Sequence, residues 1–159
     1  MLVLLGGDAA FTEPSSYPIP DALRRLLDAG FELKPGLTFL RSLVVARSSV
    51  LESLTKSEDE TGIETFVNEI HIEDFVGVEF PFVELARLGC DFAFMLAIRL
   101  QNLKPQTRFR VIVSAMAVSP SGSVRDTCVV RFHEQRDGQQ WLSEDLEQYR
   151  EEAIEVLDV

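Results

Sequence analysis

CDFAFMLAIRL, residues 90–100, carries the clearest pattern in the chain. Phe92, Phe94, Leu96, Ile98 and Leu100 alternate with Asp91, Ala93, Met95, Ala97 and Arg99. Successive side chains of a strand point to opposite faces, so this alternation predicts a β-strand with one apolar face in the core. RFRVIVSAMAV, 108–118, repeats it with Phe109, Val111 and Val113 inward, and TCVVRFHEQ, 127–135, repeats it with Cys128, Val130 and Phe132. Strands joined by short connections pair antiparallel. The expected centre of the fold is therefore an antiparallel sheet.

Working outward, residues 2–5 read as a short strand ended by Gly6-Gly7, and 12–20 as an irregular proline-rich segment. A helix is expected over about 20–29, opened by Pro20 and Asp21 and stopped by Gly30, with Leu23, Leu26 and Leu27 on one face. Phe31–Lys34 and Leu37–Leu40 flank Pro35-Gly36, the composition of a type II turn. The rest of 37–56 fits helix or strand, and Arg47 interrupts its helical stripe. An acidic turn at 57–62 precedes a strand expected at about 63–74, and Pro81 and Gly89 bracket a short helix over 81–88. Asp137-Gly138 signals a tight turn. Ser143 suits an N-cap, and Leu146, Tyr149, Ala153, Ile154 and Leu157 make the inner stripe of a final amphipathic helix, with Trp141 beneath it. The expected fold class is α+β: a single domain over 1–159, mainly antiparallel sheet, with helices covering one face and a C-terminal amphipathic helix.

The chain has 159 residues and a formal charge of −11. That charge disfavours a nucleic-acid partner and an anionic membrane surface, and it attracts basic protein surfaces. It is also laid out in blocks. Residues 57–86 hold nine acids and no base, 99–131 carry +5 and 134–159 carry −7. Cys90 and Cys128 sit among apolar residues and form neither a disulfide framework nor a zinc signature. The start MLVLLGGDAA lacks the cationic flank of a secretory signal, and no apolar run reaches spanning length, so the cytoplasm is the expected location.

NEIHIEDF, 68–75, places Glu69, His71 and Glu73 opposite Ile70 and Ile72. If this segment joins the sheet, its acids lie beside arginines, and a solvated, charge-paired face accounts for the motif without chemistry. The chemical alternative is a site in which His71 and His133 converge with Glu69, Glu73 or Glu134 as metal ligands or as base and acid. It requires two histidines from separate strands to be neighbours. Gly6-Gly7 lacks phosphate-loop spacing, Cys90 has no activating motif, and no cofactor or catalytic group is expected.

A small acidic α+β protein with no catalytic signature resembles bacterial immunity proteins and acidic secretion chaperones in size and composition. That resemblance implies an acidic cytoplasmic protein-binding module, neutralising a basic partner as an immunity or antitoxin-type protein does. The expected partner face is the outer side of the last helix, Glu144, Glu147, Gln148, Glu151, Glu152 and Glu155, with the acidic loop 57–60 as second candidate. Two alternatives are a secretion-chaperone-like homodimer binding a client segment, and a small-ligand binder or enzyme built on the His71/His133/carboxylate site.

Overall fold

The computed structural model describes residues 13–49, 51, 59–117, 125–143, 145 and 152–159. The α+β architecture is present, with four described α-helices and antiparallel sheets. Helix α1 spans Asp21–Asp28 and buries Leu23 and Leu27. Strands β1 (Phe31–Lys34) and β2 (Leu37–Leu40) form the expected hairpin, in which Gly36 takes φ +73° at the turn, a conformation that costs glycine nothing. Helix α2 follows at Arg41–Ala46 and α3 at Glu60–Val67. Strand β3 (Ile70–His71) leads into a 3₁₀ turn at Ile72–Phe75, then α4 (Phe82–Leu103), β4 (Phe109–Met116), β5 (Thr127–Glu134) and β6 (Ala153–Asp158). The main sheet has the order β3-β5-β4-β6, antiparallel throughout.

The decisive correction is residues 90–100, which are helix. They form the second half of α4, a 22-residue helix lying across the inner face of the sheet. Leu85, Leu88, Phe92, Leu96 and Leu100 recur at helical spacing and are all essentially solvent-free, with Gly89, Ala93 and Ala97 between them. Phe94 and Ile98, which complete the alternation, point to solvent at 61% and 45% exposure. Gly89 does not stop the helix. It lets the helix touch the sheet, because a Cβ there would lie 2.3 Å from the Cys128 Sγ. Opposite α4 the sheet presents Phe109, Val111, Val113, Ala115, Cys128, Val130 and Phe132, so the core is one layer of helix on one face of sheet.

Two further expectations give way. Residues 60–67 are helix because Asp59 caps them, accepting from the Gly62 N–H at 2.8 Å, while Ile63 and Val67 share the buried side. The C-terminal helix is absent where it can be checked: 153–158 is strand β6, paired with β4 from Arg110↔Asp158 to Ala115↔Ala153. A backbone that completes a sheet next to β4 satisfies its hydrogen bonds and buries Ala153 and Ile154 on opposite faces, which overrides helical propensity. Trp141 is exposed at 46%, and its neighbour Leu142 is the side chain that packs against Ile112 and Ile154. Residues 2–7, Leu146 and Tyr149 lie outside the described residues. Arg47 caps the C-terminus of α3, donating to the carbonyls of Phe66, Val67 and Glu69 at 2.6, 3.0 and 3.0 Å. No described helix is long and apolar enough to cross a membrane.

Candidate functional site

Three places gather polar side chains. The first is the motif at 69–73. Strand β3 pairs with β5, so Ile70 and Ile72 enter the core, Glu69 and His71 face away from it, and Glu73 is buried at the edge of β5. His71 bonds Glu69 through Nε2 at 2.6 Å and Glu73 through Nδ1 at 2.9 Å. Arg131 of β5 donates to the other Glu69 oxygen at 3.1 Å and to Ser114 Oγ at 3.3 Å, and the second Glu73 oxygen accepts the Cys128 N–H at 3.0 Å. Burial works against the His71 charge, yet the bonds to Glu73 and Glu69 outweigh it and raise the imidazole pKa. Burial likewise pushes the Glu69 carboxyl up, and His71 and Arg131 together bring it below its usual range. The charge pairing expected from the sequence is present at Glu69, His71 and Arg131, while Glu73 is not solvated as expected: it is 6% exposed and meets no described arginine.

His133 does not join it. His71 lies across from Val129, four residues along β5 from His133, a separation of roughly 13 Å at strand rise. His133 is 3% exposed and donates through Nδ1 to the Glu134 carbonyl at 2.8 Å. Burial, with Arg110 and Arg136 adding to it, lowers its pKa and keeps the ring neutral. The two histidines therefore share no ligand, and among the described residues no group of three His, Cys, Asp or Glu is placed to hold a metal ion.

The second place is an ionic joint that the sequence did not reveal. Glu64 of α3, fully buried, accepts from Arg136, from the Glu134 N–H (both 2.8 Å) and from the Thr38 N–H at 2.5 Å. Burial pushes its pKa up, and those three bonds push against it. Arg136 also pairs with Glu60 at 3.1 Å, and Lys104 pairs with Glu134. Asn68 completes the joint, accepting from the Leu40 N–H at 3.0 Å and donating to the carbonyls of Thr38 and Phe132 at 2.9 and 3.3 Å. These bonds tie the hairpin, α3 and the sheet into one body. In the second acidic candidate, 57–60, Asp59 caps a helix and Glu60 pairs with Arg136, and residues 57 and 58 lie outside the described residues. The signal available in the sequence was the long-range match of one acid-rich segment with Arg136, which spacing alone does not display.

The third place is a cavity of about 240 Å³ between α4 and β6, lined by Glu13, Pro14, Cys90, Asp91, Phe94, Glu155 and Leu157. Glu155 was expected on the outer face of a helix. In β6 it has the inward parity of Ala153 and Leu157, and its Oε2 is buried with no hydrogen-bond partner among the described residues. Burial raises its pKa. Cys90 faces the same space, and burial, helped by the charges of Glu155 and Asp91, pushes its thiol up to about 12. Of the other candidate partner residues, Glu152 is exposed and lines hollows on the opposite sheet face with Arg131 and Ser114, and Glu144, Glu147, Gln148 and Glu151 lie outside the described residues.

The chain belongs to the Uncharacterized protein PM0498 family, whose model matches residues 8–159. No curated protein and no solved structure matches it.

Proposed function

We propose that the protein is an acidic cytoplasmic protein-binding module that neutralises or escorts a basic partner protein, in the manner of an immunity or antitoxin-type protein. The observation that carries this reading is how the cations are spent. Arg47 and Arg125 donate to backbone carbonyls. Arg87, Arg99, Lys104, Arg110, Arg131 and Arg136 are all held by carboxylates of the same chain. These six cations are thereby paired within the chain, while Arg24, Arg25, Arg41 and Arg108 remain exposed, and the formal total of −11 leaves acids in excess. Asp74, Glu79 and Glu152 are exposed, and no described cation sits on them. Such a field attracts a basic surface and raises its association rate by about 10- to 1,000-fold, an effect that salt removes.

The test begins with capture of the partner from the native lysate and its identification by mass spectrometry. Association is then followed by stopped flow as salt is raised. The reading expects a partner with a basic surface and an association rate that falls at least about tenfold between low and high salt. Reversal of Asp74 and Glu79 to Lys should slow association while changing dissociation less. A neutral or acidic partner, or a rate indifferent to salt, overturns the reading.

A further inference from the structure

Strand β3 is attached to the main sheet by two residues, Ile70 opposite Val130 and His71 opposite Val129. Side chains continue the ladder on either side of that short pairing. Before it, the Asn68 amide donates to the Phe132 carbonyl at 3.3 Å. After it, the next rung would set Ile72 against Cys128, but the chain has already turned into the 3₁₀ turn Ile72–Phe75. Glu73 fills that rung, its carboxylate accepting the Cys128 N–H at 3.0 Å. The other Glu73 oxygen meets His71 Nδ1 at 2.9 Å, and Glu69 meets Nε2 of the same ring at 2.6 Å. An ionised carboxylate only accepts hydrogen bonds, so a ring held by one on each nitrogen must carry both N–H groups, which makes it an imidazolium. The neutral ring has a single N–H and would turn a lone pair toward one of the two acids. The His71 side chain is 38% exposed, so solvent reaches its proton.

We propose that His71 is a proton-operated latch on the end of the sheet. With its proton it bridges Glu69, which precedes β3, to Glu73, which follows it, and clamps the 3₁₀ turn onto β5. Without its proton it keeps at most one of the two carboxylates and loses the charge that strengthens such bonds. The charged groups facing the ring from the described elements are Glu69 and Glu73, Arg131 of β5 behind Glu69, and Glu152, which lines the same hollow of the outer sheet face. His71, Arg131, Glu69 and Glu73 carry two positive and two negative charges when the latch is closed, and one acid is left uncompensated when it opens. Burial opposes the charge on the ring and the two acids outweigh it, so opening comes above the ordinary histidine value of about 6.5. The loop that follows the turn, with Asp74, Glu79 and the 81% exposed Val78, is then anchored less firmly. The latch is independent of the basic-partner reading and does not fall with it.

The test is an NMR titration of the full-length, isotope-labelled chain from about pH 5.5 to about pH 9, a span that brackets the ordinary histidine value. The His71 ring nitrogens should report an imidazolium with a midpoint above that value, and Glu69→Gln and Glu73→Gln should each lower the midpoint. His133, whose protonation burial disfavours, should titrate lower, which tells the two rings apart. The amides of Ile72, Asp74 and Cys128 should shift with the His71 midpoint. Once intrinsic exchange is divided out, their protection should fall roughly tenfold across it, the effect of losing a hydrogen bond to a charged group. In His71→Gln, which offers one neutral donor, protection should be low and level with pH; Glu69→Gln supplies the same comparison if that chain folds poorly. A His71 midpoint at or below the ordinary value overturns the proposal. So does a raised midpoint that the neighbouring amides do not follow, since the ring would then be paired without holding anything. Protection that still depends on pH in both variants overturns it as well, by assigning the effect to another group.

Discussion

Replacing Phe92 and Phe94 separately by Ala tests the feature on which the fold turns. In a strand reading the two rings share one face and should count alike. In α4 they are two residues, about 200° apart on the helix. Phe92 is 0% exposed within the main core, whereas Phe94 is 61% exposed on the rim of the α4–β6 cavity. Taking about 150–200 Å² for a buried Phe ring and ~25 cal/mol per Å² gives about 4–5 kcal/mol for Phe92, in line with the usual cost of about 3–5 kcal/mol for Phe→Ala in a core. For Phe94, with about two fifths of that area covered, the same coefficient gives about 1.5–2 kcal/mol, reduced to about 1–1.5 kcal/mol by the higher helix propensity of Ala. Urea unfolding monitored by circular dichroism gives both values from the shift in midpoint at constant slope. Losses of similar size, or a larger loss at Phe94, would refute the helical phase of α4 and restore the alternation as the guide to the core.

Gly89→Ala should destabilise, because overpacking against Cys128 costs about 1–3 kcal/mol and exceeds the helix gain of about 1 kcal/mol; in a Cys128→Ala background the same change should become neutral or stabilising, and a cycle showing no coupling would contradict the close approach. The raised pKa of His71 means that its bonds to Glu69 and Glu73 contribute fully below about pH 6.5 and fade as pH rises through the folded value. His71→Gln should therefore lose more stability at pH 6 than at pH 9, as measured by urea unfolding, and a gap that widens with pH would show the opposite sign of linkage. Cys90, with its thiol near 12, should alkylate with iodoacetamide at pH 8 far more slowly than a free thiol, and Glu155→Gln should speed it; an unchanged rate would separate the two groups.

The hairpin, α1, β4 and β5 were legible because each carries a local cause. Gly30 and Gly36 both adopt positive φ, Pro20 opens α1, and the alternations in β4 and β5 coincide with their buried faces. Residues 90–100 misled because their sequence satisfies two periods at once. Phe92, Leu96 and Leu100 belong to both, and only Phe94 and Ile98 separate the readings. Leu88 and Leu85, one and two turns upstream, extend the helical period, and Leu85 falls out of phase with the alternation. Gly89 hid that continuity by resembling a stop. At the C-terminus the error was of another kind. Ala153, Ile154 and Leu157 suit a helical stripe, yet β4 offers an open ladder whose partner no local signal names. The motif at 69–73 kept its inside–outside parity even though the strand shrank to two residues, since parity depends only on Ile70 and Ile72 reaching the core.

Charge in the sequence and charge on the surface diverge for a reason that bears on partner recognition. The block 57–86 looks like one acidic patch of nine carboxylates. In the fold, Asp59 caps α3, and Glu60 and Glu64 hold Arg136. Glu69 and Glu73 hold His71, and Glu84 receives Ser15, Ser16 and Arg87. Each of these carboxylates already accepts at least one internal donor, so part of its capacity is committed within the fold. Among the described residues of that block, Asp74 and Glu79 are the exposed acids with no bonded cation, and they flank Val78, itself 81% exposed. Glu155 is the converse case: partly buried, with an oxygen that has no hydrogen-bond partner among the described residues. A cation brought to Asp74 or Glu79 exchanges one hydrated contact for another and would affect mainly the speed of encounter. On the basic-partner reading proposed above, reversing Asp74 and Glu79 should therefore slow association and leave dissociation nearly unchanged.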